Sequence, residues 1–214
     1  MKIKSAVFTV SAPDLASCPP ALRPEFAFIG RSNVGKSSLI NLLAERRQLA
    51  MVSNTPGKTK LINFFLINDT WSLVDLPGYG YANVTKATEE GFQRAIMDYL
   101  TERPTLAGVF VLIDSRLPPQ AIDLEFLDWL ALHCPAPSAL VFTKADKQSP
   151  TATLASIGQF LERMARSRHG PQQHFTTSSK SKQGRKELLD HMAAVLAKAP
   201  KTSSARVSLR GNPA

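Results

Sequence analysis

The 214-residue chain has no apolar run approaching the roughly 18 residues that a membrane-spanning helix needs, so no membrane contact is expected. It has only two cysteines, Cys18 and Cys134, without C-x-x-C or zinc-type spacing. Neither a disulfide framework nor a zinc site follows from them, and both read as reduced thiols of a cytoplasmic protein. After Met1-Lys2-Ile3-Lys4-Ser5 the apolar stretch is only Ala6 to Val10, and Pro13 and Asp14 then break it, too short for a signal peptide. There is no internal repeat. Acidic residues run short in one place, the last quarter: residues 158–214 hold 11 Lys and Arg against 3 Asp and Glu, whereas residues 1–157 hold 15 against 14. Nearly all of the net charge of +9 therefore sits in the final quarter. Arg163, Arg166, Arg168, Lys180, Lys182, Arg185 and Lys186 form its densest part, read either as a solvated face or as a footprint for a polyanion such as RNA.

What is present is enough for one domain with a sizeable core: hydrophobic residues make up 43% of the chain and charged residues 20%. Apolar runs alternate with helical patterns, the mark of an α/β protein with a mostly parallel sheet. Six strands are expected, at 25–29, 60–67, 70–75, 106–114, 137–143 and 173–177. The second and third are separated by Asn68-Asp69 alone, which allows a hairpin and hence one antiparallel strand, but no crossover helix. The apolar stripes Ile122/Phe126/Trp129, Leu154/Ile157/Leu161/Met164 and Leu188/Met192/Val195/Leu196 predict helices packed on both faces of the sheet. Residues 1–24 read as an extension packed on a domain of residues 25–199, and the tail 200–214, basic and poor in apolar residues, is expected to be disordered.

Gly30-Arg31-Ser32-Asn33-Val34-Gly35-Lys36-Ser37 matches G-x-x-x-x-G-K-[ST] between an apolar strand and a helix start. In such a loop the glycines let successive N–H groups curl toward a phosphate chain, and the helix N-terminus adds positive potential. Lys36 then reaches the β- and γ-phosphates and the Ser37 hydroxyl holds Mg²⁺. This loop alone leaves kinases, ATPases and GTPases open. Further motifs narrow the choice, most of them expected at a strand end, where open α/β sheets bind ligands. Thr143-Lys144-Ala145-Asp146 places a carboxylate where it accepts two hydrogen bonds from guanine N1–H and N2–H₂, a donor pair that adenine lacks. Asp75-Leu76-Pro77-Gly78 supplies Asp75 as an outer holder of Mg²⁺ and the Gly78 amide as a sensor of the γ-phosphate. Thr55-Pro56-Gly57-Lys58-Thr59, running into Lys60 and Leu61, offers a threonine to complete the Mg²⁺ shell, with Thr59 favoured. Thr177-Ser178-Ser179 is expected to touch guanine O6 through backbone N–H groups.

These motifs, with Ser38-Leu39-Ile40-Asn41 after the phosphate loop and Tyr79-Gly80-Tyr81-Ala82 after Gly78, resemble the EngB group of bacterial GTPases, also called YihA or YsxC. The resemblance spans roughly residues 5–197 and is most specific over 75–82. It accounts for Thr143 where many GTPases carry Asn. It implies a Ras-like G domain that hydrolyses GTP to GDP with Mg²⁺ and acts in assembly of the large ribosomal subunit, the basic last quarter being the candidate RNA contact. A need in cell division and septation and a monomeric state go with that reading. At Leu117, after Ile113-Asp114-Ser115-Arg116, the resemblance would expect His. Ras-like enzymes orient the attacking water with a Gln at the position of Tyr79, so slow hydrolysis is expected, helped by a partner or an ion. Resembling GTPases with Asn at position 33 use its side-chain oxygen to hold K⁺ by the phosphates, which makes Asn33, with Lys36, Thr59 and Gly78, a candidate catalytic residue. A nucleotide-gated binding module of the division machinery, with incidental hydrolysis, is the rival reading.

Overall fold

The computed structural model describes residues 1–46, 48–50, 61–79, 86–165 and 173–198. A seven-stranded sheet in the order β1-β3-β4-β2-β5-β6-β7 forms the middle layer. Its strands are β1 (Ala6–Ala12), β2 (Glu25–Gly30), β3 (Ile62–Ile67), β4 (Trp71–Asp75), β5 (Leu106–Asp114), β6 (Ser138–Thr143) and β7 (His174–Thr176). β3 pairs antiparallel with both neighbours, and every other pairing is parallel, so β3 alone runs against the rest. The β3–β4 hairpin turns on Asn68 and Asp69 at φ 48° and 57°, the left-handed central pair of a turn closed by the Thr70 amide on the Ile67 carbonyl, with three residues between the paired Ile67 and Trp71.

The expected six strands become seven because the N-terminal extension contributes β1. Asn68 is the reason it docks: its Oδ1 accepts from the Lys4 and Ser5 amides at 2.7 and 3.1 Å, and its Nδ2 donates to the Lys2 carbonyl at 2.9 Å. The extension is thus delivered to the open edge of β3, where β1 pairs across a bulge near Thr9.

The strand faces sort the core into two layers by simple alternation. Phe26 and Phe28 of β2, with Phe110, Leu112 and Val141, meet Leu39, Ile40 and Leu43 of α1 (Lys36–Ala44) and Leu188, Leu189 and Met192 of α5 (Arg185–Lys198). Ala27, Ile29, Val109, Val111, Leu140 and Phe142 point the other way. They meet α2 (Lys86–Glu102) through Ile96 and Tyr99, α3 (Ala121–His133) through Leu127 and Leu130, and α4 (Pro150–Ala165) through Ile157 and Phe160. Central strands buried on both faces read as unbroken apolar runs, as β2 and β5 do. Two expected stripes are shifted. In α3 the fully buried line is Asp123, Leu127 and Leu130, with Ile122, Phe126 and Trp129 packed half-buried beside it. In α4 Leu154 is 71% exposed and Phe160 takes the core position. Below the sheet, Glu25 at the start of β2 accepts from Arg103 and from the Tyr99 hydroxyl (2.7 Å), which anchors the strand that feeds the phosphate loop.

Candidate nucleotide site

The loop after β2 leaves the sheet between β4 and β5, at the C-terminal ends of the parallel strands. Gly30 is required by closeness: a Cβ there would lie 2.7 Å from the Leu112 carbonyl oxygen. Gly35, at φ 110°, sits as N-cap of α1 and offers no side chain to the first-turn amides. Those amides and the helix dipole are what an anion meets at the loop. The Ser32 Oγ is buried without a hydrogen-bond partner among the described residues, an orphaned polar atom that a phosphate oxygen would satisfy. Lys36, 9% exposed, is ion-paired with the Asp75 carboxylate at the end of β4, itself nearly sealed from solvent. The cation expected at the phosphates and the carboxylate expected to serve Mg²⁺ are therefore adjacent, and Ser37 follows at the same helix start. Among the described residues no three His, Cys, Asp or Glu side chains cluster as a metal cage. One hydroxyl and one carboxylate beside a phosphate site is the sparse protein donor set that suits Mg²⁺, which takes much of its shell from phosphate and water.

Beyond Asp75, Leu76 is fully buried and its amide donates to the Phe28 carbonyl at 3.0 Å, carrying the chain through Pro77 to Gly78 close to the phosphate loop. Tyr79 then bridges to Arg31 through the backbone. Its ring stacks on Phe126 of α3 at 4.5 Å and its hydroxyl donates to Asp123 at 2.9 Å. Burial pushes the Tyr79 hydroxyl well above the ordinary phenol range, with Asp123 adding to the rise, and burial likewise raises the Asp123 carboxyl. Tyr79 is thus turned into the protein.

The loop after β6 is stitched to the phosphate loop at two points. The Thr143 hydroxyl donates to the Val34 carbonyl at 2.6 Å, so a short β-branched side chain braces the two loops where many GTPases carry Asn. Lys144, at φ 61°, donates through Nζ to the Asn33 carbonyl at 2.6 Å and to Asp114 Oδ2 at 2.8 Å. Ala145 passes the chain to Asp146, which is exposed and accepts from the Ser178 hydroxyl at 2.6 Å. That bond leads the effects holding the Asp146 carboxyl below its ordinary range. Ser178 Oγ in turn accepts from the Lys180 and Ser181 amides, and the Thr177 carbonyl accepts from the Ala145 amide at 3.2 Å. Ser179 lies exposed on the same turn. The structure therefore brings Gly30–Ser37, Asp75–Gly78, Thr143–Asp146 and Thr177–Ser179 to one end of the sheet. Gly57, Lys58, Thr59 and Lys60 lie outside the described residues, and Leu61 is exposed at the entry to β3.

Two features lay beyond the motifs. Asp114, at the end of β5, holds Lys144 on one side and Arg116 on the other, the guanidinium binding it twice at 2.9 and 2.7 Å. Burial alone would push the Asp114 carboxyl up, but the hydrogen bonds from Arg116 and Lys144 outweigh it and hold the group at about 2. The only signal in the sequence was an Asp-x-Arg at a strand end. The second is Arg185: it donates to the Leu42 and Leu43 carbonyls at 2.9 Å each, satisfying the last turn of α1. It belongs to the fold rather than to an open basic face.

Comparison with known proteins agrees with this arrangement. A family model described as a 50S ribosome-binding GTPase matches residues 25–144. The probable GTP-binding protein EngB of Phocaeicola vulgatus is 50% identical over 195 residues, covering 91% of this chain and 97% of that protein. Its counterpart in Bacteroides thetaiotaomicron is 49% identical over 192 residues, covering 90% and 95%. A solved structure of a probable GTP-binding protein EngB aligns with a TM-score of 0.65 at 20% identity, covering 82% of this chain and all of that one, a likeness of fold. Asn33, the uncommon Thr143 and the segment 75–79 all lie inside the matched region. The chain belongs to the EngB family of G-domain GTPases.

Proposed function

We propose that this protein is a Mg²⁺-dependent GTPase switch that acts in assembly of the large ribosomal subunit and so supports normal cell division. The observation that carries the nucleotide half is the double stitch Thr143–Val34 and Lys144–Asn33, which fixes the base-reading loop to the phosphate loop as one site. Asp146 reads guanine, Lys36 and the α1 amides hold the phosphates, and Ser37, with Thr59, holds Mg²⁺. When bound, that ion neutralises charge developing on the γ-phosphate. Gly78 and Thr59 sense the γ-phosphate, which makes the segments bearing them the switch. With Tyr79 committed to Asp123, intrinsic hydrolysis is slow; the Asn33 side-chain oxygen would hold a K⁺ ion, which would supply positive charge beside the phosphates, and a bound partner is the other source of acceleration.

The ribosomal half rests on the family's description as 50S ribosome-binding and on the charge of the last quarter. Arg163, Lys180 and Lys182 are exposed there, whereas Lys186 is paired with Asp190 at 2.7 Å. Arg166 and Arg168 lie outside the described residues, as does the tail 200–214. Among the described residues no helix is long and apolar enough to cross a membrane. A monomer working in the cytoplasm completes the reading. Co-sedimentation with ribosomal subunits tests it: association with the large subunit is expected with a non-hydrolysable GTP analogue and to weaken with GDP. Equal association in both states contradicts a switch, and no association contradicts the ribosomal role.

A further inference from the structure

Asp146 must present a bare carboxylate to guanine, yet it stands in a field of positive charge. Lys144 is two residues before it, Arg116 feels its charge, and the exposed Lys147 and Lys180 add to the same field. A cation seated on Asp146 would occupy the oxygens that N1–H and N2–H₂ need. Lys144 and Arg116, which follow the ends of β6 and β5, are instead both committed to Asp114. Its Oδ2 accepts from Lys144 Nζ at 2.8 Å and from Arg116 at 2.7 Å, its Oδ1 accepts from Arg116 Nε at 2.9 Å, and the Arg116 amide adds a bond at 3.1 Å. Asp114 is 8% exposed, so it holds them with little competition from water. Asp146 Oδ1 meanwhile takes a hydroxyl, that of Ser178, a neutral donor that orients the group without cancelling its charge.

We propose that Asp114 is a specificity-determining positioning residue: by sequestering Lys144 and Arg116 it keeps both off Asp146, so that the base reader stays available to guanine. The inference rests on the reading of Asp146 given above. Without the Asp114 carboxylate, Arg116, already 42% exposed at its side chain, and Lys144 are released to pair with Asp146, whose charge already acts on Arg116. Guanine must then displace an ion pair before it binds.

A cycle of variants separates this from simple bracing. Asp114→Asn in the otherwise wild-type protein lowers GDP affinity by about fivefold, the size of an exposed ion pair that must be broken, and the loss shrinks as salt rises. The same change in an Asp146→Asn background is read with XDP, whose carbonyl suits the new amide. There the loss is less than about twofold, because the neutral amide attracts no cation. Equal losses in both backgrounds mean that Asp114 only braces Lys144, and overturn the proposal. Asp114→Glu, which keeps the charge, holds GDP affinity within about twofold of wild type; a loss as large as that of Asp114→Asn points to shape rather than charge and overturns it also. The Asp114→Glu variant also decides the matter if Asp114→Asn folds poorly. If Asp146→Asn fails to favour XDP in the first place, the reading of Asp146 fails rather than the role of Asp114.

Discussion

Replacing Lys36 with Ala perturbs both the fold and the ligand, and the structure fixes the size of each effect. Lys36 is 9% exposed and is paired with Asp75, 2% exposed at the end of a strand buried between β3 and β2. Removing one partner of such a pair leaves a carboxylate out of water without its counter-charge, a change that costs about 3–5 kcal/mol. The nucleotide-free protein should therefore lose about that much in urea unfolding, with the slope of the transition unchanged. GTP affinity should fall by about tenfold or more, since a charge-assisted contact to phosphate contributes about 1.5–3 kcal/mol and about 1.4 kcal/mol is a factor of ten. Asp75→Asn in the Lys36→Ala protein removes the stranded charge and should recover most of the stability but little of the affinity. That split is the diagnostic result. Lys36→Ala with wild-type stability would show that the buried pair does not form, and unchanged GTP affinity by calorimetry would remove the phosphate-loop assignment.

Three further outcomes are expected. If K⁺ assists through Asn33, phosphate release from GTP should be faster in KCl than in NaCl, and Asn33→Ala should abolish the difference; equal rates in the two salts would leave a partner as the accelerator. Charge reversal at the exposed Arg163 and Lys182 should flatten the salt dependence of large-subunit binding, by about 0.7–0.9 in slope for each phosphate no longer neutralised, while GTP affinity stays as in the wild type. Asp114, held at about 2 against an ordinary carboxylate value near 4, stabilises the fold fully above about pH 4, and its contribution of about 2 kcal/mol is lost as pH falls toward 2. Acid unfolding followed by circular dichroism should accordingly be less steep over that window in Asp114→Asn.

The parts of the fold and site that could be read from the chain are those whose physics is local. β2 and β5 are apolar without interruption because both faces are covered, and the Asn68-Asp69 turn announces its hairpin by residue type. The phosphate loop and the Thr143–Asp146 loop carry their chemistry in consecutive residues. What escaped depends on distant partners. β1 is an edge strand with Val7 and Phe8 exposed, so its apolar alternation is weak, and Asn68, far along the chain, draws it to β3. Asp123 takes a core position in α3 that periodicity gives to an apolar residue, because the Tyr79 hydroxyl satisfies it there. Arg185 counts as surface charge until the last carbonyls of α1 are seen to need it, and Asp114 acts only on other side chains, so the stretch Ile113-Asp114-Ser115-Arg116 does not announce its role.

The most direct measurement of the central claim, that these loops form one guanine-nucleotide site, is calorimetric titration of the wild-type chain and of Asp146→Asn with GDP, ADP and XDP. The wild type should bind GDP with strong preference over the other two, and Asp146→Asn should bind XDP better than GDP, because an amide presents one acceptor and one donor where the carboxylate presented two acceptors. A wild-type chain that takes ADP as well as GDP, or a variant that still prefers GDP to XDP, would contradict the account.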